Sequence, residues 1–92
     1  MAKKKGFLER LAALTDLPDE NISALPIVEI TGDKRVLIEH HRGVAEYSQE
    51  RICIKVKFGQ VCICGQDLIL SRIQQGQLII TGRLESVMLF RG

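Results

Sequence analysis

The sequence predicts an all-β fold, a small antiparallel meander or sandwich preceded by a short amphipathic helix. Three observations carry this. From Ile27 onward, apolar and polar residues alternate with a period of two and β-branched side chains dominate. Clusters of Gly and polar residues (TGDK, HHRG, SQE, FGQ, GQD, QQGQ, TGR) punctuate the alternation. The connections they leave are too short for crossover helices, so neighbouring strands should pair antiparallel. A short β-solenoid, whose corners can be equally tight, is the alternative architecture.

The first element departs from this period. In GFLERLAALTDLP the apolar residues Phe7, Leu8, Leu11, Ala12 and Leu14 follow the spacing of one helix face, and Glu9 and Arg10 point elsewhere. The helix should stop near Leu17, because Pro18 disfavours helical geometry in the residue before it and has no N–H to donate. The polar stretch PDENISALP then leads to Ile27, dividing the chain into a helix and linker, 1–25, and a β-domain, 26–92. About seven or eight short strands fit the punctuation of that domain.

Residues 39–50, EHHRGVAEYSQE, concentrate polar chemistry in one place. His40 and His41 are adjacent, so on a strand they point to opposite faces and cannot clasp one metal ion together. The stretch reads as a turn with His41 at its mouth and Gly43 supplying a backbone angle that other residues resist. Next comes RICIKVKFGQVCICG, which predicts a hairpin about a two-residue turn at Gly59 and Gln60. That register pairs Phe58 with Val61, Val56 with Ile63 and Ile54 with Gly65, gathering the large apolar side chains on one face. The opposite face then pairs Lys57 with Cys62 and Lys55 with Cys64, and sets Cys53 on a diagonal from Cys64.

Beyond the hairpin, CICGQDLILSRI and QLIITG carry apolar side chains on both faces, as strands covered on both sides do. The chain then reaches Val87, Met88, Leu89 and Phe90, guarded nearby only by Glu85 and Arg91. An edge strand of this kind is a template for another chain. These four residues, with Phe7, Leu11 and Leu14 of the helix, are the candidate interaction residues, and a homo-oligomer is one expected outcome.

Composition narrows the function. The 13 basic and 11 acidic residues are mixed along the chain and leave a net charge of +2, so the broad positive field of a nucleic-acid binder is missing. One Tyr and three Phe offer little surface for stacking on bases. No apolar run approaches the ~20 residues of a membrane-spanning helix. Lys3, Lys4 and Lys5 ahead of the helix support at most peripheral contact with anionic lipid. The basic start is a poor signal peptide because Glu9, Arg10 and Asp16 interrupt the apolar stretch behind it. Cys53, Cys62 and Cys64 are odd in number and fit neither a CxxC redox motif nor a zinc knuckle, so reduced thiols in a cytoplasmic protein are expected. No nucleophile elbow, phosphate loop or HExxH sequence marks an enzyme, and no cofactor is expected.

The run VEITGDKRVLIEHHRGVAEYSQERICIKVKFGQVCICGQDLIL, continuing to QLIITGRLESVMLF, resembles the YabP/YqfC family of endospore-formation proteins, and its YqfC branch most closely. Its most specific segment is a strand ending in Glu, then His, Arg-Gly, a short strand ending in Tyr-Ser and an isoleucine-alternating strand. The resemblance implies a sporulation role in the mother cell and assembly with a membrane protein of the YqfD type. It brings no catalytic residues. The expected function is thus a non-enzymatic structural and interaction protein. The alternative is a thiol- or metal-dependent regulator using Cys53, Cys62, Cys64 and one of the histidines.

Overall fold

The computed structural model describes residues 25–92, so the helix expected around Phe7, Leu11 and Leu14 lies outside the described residues. Those described form six strands: β1 (Ile27–Thr31), β2 (Arg35–Glu39), β3 (Val44–Tyr47), β4 (Arg51–Val56), β5 (Gly59–Gln74) and β6 (Gln77–Arg91). They make one open sheet in the order β1-β2-β6-β5-β4-β3, with every neighbouring pair antiparallel. This pairing removes the solenoid alternative. A meander holds only from β3 to β6. The β1–β2 hairpin instead docks on the other side of β6, where Val36 and Ile38 pair with Ile80 and Leu78.

The strand count falls to six because β5 and β6 run through two clusters that read as turns. GQD and TGR are bulges: the β5–β6 register shifts between Cys64 and Gly65, between Gln66 and Ile69, and again between Leu70 and Arg72. Each extra residue turns the subsequent side chains to the other face and bends the strand. This accounts for the apolar residues on both faces of this stretch. Leu68 is fully buried at the bend, whereas Ile69 and Ile73 are exposed.

The bend folds the sheet back on itself. Arg42 donates its N–H to Lys55 O at 2.7 Å, and Lys55 pairs with Gln60 near the start of β5. One residue earlier, the His41 ring reaches Gln74 O, at the end of β5, at 3.1 Å. In a straight strand those two positions of β5 would stand about 46 Å apart, far beyond the reach of adjacent residues. One layer therefore holds β1, β2 and the adjoining halves of β5 and β6. The other holds β3, β4 and the remaining halves.

The inner faces meet in a single core, with Val36, Ile38, Leu78 and Ile80 from the first layer and Ile52, Ile54, Val61 and Ile63 from the second, all fully buried. Close backbone approach at the bend requires glycine. A Cβ on Gly82, at φ 141°, would lie 2.7 Å from Asp67 O, and one on Gly65 would overlap Arg83 O.

The β4–β5 hairpin keeps its predicted faces but not its register. The turn is Lys57 and Phe58, so Val56 pairs with Gly59, Ile54 with Val61 and Ile52 with Ile63. The turn thus sits two residues earlier than expected, and each β4 residue meets a β5 partner four residues nearer the turn than the one expected. Gly59 is instead needed where β6 passes, since a Cβ there would overlap Phe90 O.

Candidate interaction edge

The polar stretch after β2 is the crossover between the layers. His41 accepts the N–H of Gly43 at Nδ1 (3.0 Å) and donates from Nε2 to Gln74 O (3.1 Å), so both ring nitrogens are committed to backbone. His40, at φ 65°, donates from Nδ1 to Leu25 O at 2.9 Å and so ties the start of β1 to the crossover. Gly43 stands at φ 114° with open space where a side chain would project, so its constraint is conformational rather than steric. The two histidines hold chain segments together, and among the described residues no three His, Cys, Asp or Glu side chains are placed to hold a metal ion.

The thiols differ from expectation. Cys53 and Cys62 sit directly opposite each other, with Cα atoms 4.1 Å apart, and form a disulfide, so they are not the reduced pair anticipated. The cause is the four-residue register shift. In the expected pairing Cys53 had no thiol across from it, and in the observed pairing it faces Cys62. Only Cys64 is free, with the Arg51 guanidinium 4.0 Å from its sulfur. Cys53 and Cys62 are each 1% exposed. Bonded, buried sulfurs give the proposed thiol- or metal-dependent regulator no support.

The C-terminal candidates come together on β6. This strand is flanked by β2 only along residues 77–81, so from Ser86 to Arg91 it has β5 on one side and no described strand on the other. The hydrogen-bond phase rests on two observations. Gly92 donates its N–H to Phe58 O at 3.1 Å, so Gly92, Phe90, Met88 and Ser86 bond toward β5. The 4.1 Å Cα separation of Cys53 and Cys62 is that of a non-hydrogen-bonded pair, which requires the same phase across β5. Hence Val87, Leu89 and Arg91 direct their N–H and C=O groups outward, away from β5.

The side chains along this edge are apolar and accessible: Met88 is 37%, Leu89 64% and Phe90 42% exposed. Val87 and Leu89 belong to the inner face, paired with Ile63 and Val61, while Met88 and Phe90 lie on the outer face opposite Cys62 and Gln60. Two grooves line the seam between this edge and β1. One, of about 340 Å³, is walled by Leu25 and Pro26 against Phe58, Leu89 and Arg91. The other, of about 310 Å³, sets Ile30, Gly32 and Asp33 against residues 84–87. Sequence reasoning named the VMLF side of the seam as a candidate and did not name Leu25, Pro26 or Phe58. Nothing local in the sequence signals a wall assembled from the start of β1 and the β4–β5 turn.

Similarity to known proteins extends over nearly the whole of this architecture. The profile of the YabP family matches residues 25–90. The uncharacterized protein YqfC of Bacillus subtilis (strain 168) is 25% identical over 88 residues, covering 95% of each chain. No solved structure matches. The family match covers all six strands, and the chain belongs to the YabP family.

Proposed function

We propose that this chain is a non-enzymatic structural and interaction protein of endospore formation, working on the mother-cell side and assembling there with a membrane protein of the YqfD type. Membership of the YabP family supports the process. The observation that carries the interaction reading is the open end of β6, where unpaired backbone groups and three accessible apolar side chains occupy one edge. The polar side chains of the crossover are spent on backbone groups, which leaves them to build the fold rather than to perform chemistry. Among the described residues no helix is long and apolar enough to cross a membrane, which fits a protein brought to a membrane by its partner.

The test is deletion of the chain in its own endospore-forming host, with capture of the tagged protein from detergent-solubilised sporulating cells. A fall in heat-resistant spores that the intact chain restores, together with recovery of an integral membrane protein, is the expected result. Normal spore yield in the deletion strain would end the sporulation reading. A purified chain that brings down no membrane protein would end the partner reading.

A further inference from the structure

We propose that the open end of β6 pairs with the same segment of a second copy, antiparallel about a two-fold axis at Met88, joining two sheets into one. Such pairing needs no membrane partner, and it competes with any partner strand for this edge.

The backbone limits the choice of register. Because Val87, Leu89 and Arg91 present their hydrogen-bonding groups outward, an antiparallel neighbour must set outward residues against outward residues. With the axis at Met88, Val87 of one copy faces Leu89 of the other and Leu89 faces Val87, giving roughly four backbone hydrogen bonds. The Met88 side chains then meet at the axis as a non-hydrogen-bonded pair on the outer face. Val87 and Leu89 of the two copies meet on the inner face, at the mouth of the groove walled by Leu25, Pro26 and Phe58.

Charge selects this register among those the backbone allows. About Met88, Arg91 of each copy lies across from Glu85 of the other, whose exposed carboxylate also accepts from Gln66 Nε2 at 3.4 Å, so opposite charges stand at both ends of the seam. Sliding the pairing two residues toward the N-terminus sets Arg91 against Arg83, like against like, and runs onto a stretch whose Gly82 and Leu84 N–H groups already bond to Lys34 O and Asp33 O. Sliding it the other way sets Arg91 against Val87 and leaves Glu85 with no charge opposite. The β6 bulge lies at Glu85, between the positions paired with Cys64 and Gly65, so the ladder ends there and the closing contact is made by side chains. A second copy is favoured over an unrelated strand because the segment is complementary to itself in hydrogen-bond phase, apolar pairing and charge at once.

Site-specific cross-linking of the full chain tests the register. In a Cys64→Ser background, Met88→Cys should form an intermolecular disulfide on mild oxidation, because a cross-strand non-hydrogen-bonded pair brings Cα atoms to about 4.5 Å. Phe90→Cys alone should cross-link far less, and Phe90→Cys combined with Ser86→Cys should recover the yield. Glu85→Arg should weaken association by about five-fold, and adding Arg91→Glu should restore it. Leu89→Pro removes an outward N–H without breaking a bond to β5, so it should give a folded monomer. Sedimentation that finds only monomer up to millimolar concentration overturns the proposal. Equal cross-linking at Met88 and Phe90 overturns the two-fold register.

Discussion

One strand, β6, contains two regions that differ in everything but composition. Residues 77–81, QLIIT, lie between β2 and β5, and Leu78 and Ile80 are fully buried there. Residues 87–90, VMLF, are at least as apolar, yet they have a neighbour on one side only, and Leu89 is 64% exposed. Hydrophobicity therefore does not assign the burial. The end of the β1–β2 hairpin and the bend together do: β2 starts opposite Thr81, the hairpin turn still accepts from the Gly82 and Leu84 N–H groups at Lys34 O and Asp33 O, and β6 then runs on past it. In a chain this small, a few residues separate a strand of the core from a strand with one edge open.

The largest effect should come from abolishing the bend that makes the two halves different. Gly82→Val places a side chain at φ 141° within 2.7 Å of Asp67 O, and it should lower unfolding stability by more than ~3 kcal/mol in urea titration, strain and overpacking together. Gly76→Ala serves as the control, since that turn glycine has open space around it and only its φ of 80° to lose, a cost of about 1 kcal/mol. Equal costs at the two positions would mean that close packing at the bend is not what holds it.

Truncation at matched positions of the two halves should come next. Leu78→Ala empties part of a fully buried site and should cost ~2 to 5 kcal/mol. Leu89→Ala should change the stability of the isolated fold by less than about 1 kcal/mol. A comparable loss from both, measured at protein concentrations low enough to exclude association, would show that the C-terminal half is covered in the single chain.

A smaller effect than at Gly82 or Leu78 belongs to the crossover that ties the layers. His41→Ala leaves the Gly43 N–H and the Gln74 carbonyl without their shared partner at a partly solvated site, and it should cost ~1 to 2 kcal/mol by thermal unfolding. A neutral result would show that water replaces the imidazole there without loss.

What the sequence disclosed divides along physical lines. Strand content, the apolar face of β4 and β5 and the placing of the three thiols on the other face come from a period of two, which local sequence carries directly. The register was not legible, because a displacement by an even number of residues, here four, leaves every side chain on its predicted face. The Cys53–Cys62 disulfide was lost in that same displacement. The contact of β2 with β6 joins opposite ends of the described chain, and no local pattern encodes it. In the interaction edge, VMLF was legible as unguarded apolar sequence. The hydrogen-bond phase that makes it an edge depends on the Gly92 contact with Phe58, and the groove beside it depends on how the two layers stack.

The insertion of β6 between β2 and β5 also orders events in time. While the chain is being made, β1 and β2 appear first, yet Val36 and Ile38 have no strand to face until Leu78 and Ile80 have been added. The meander from β3 to β5 can form from neighbours as it emerges, so the second layer has a head start and the first must wait for the last strand. Because non-local pairing is slow to find, the early hairpin spends its waiting period with an apolar face uncovered. A chain interrupted before residue 77 would therefore keep only the β3–β5 part of one layer and carry two sticky strands, a natural substrate for a holding chaperone or for a protease.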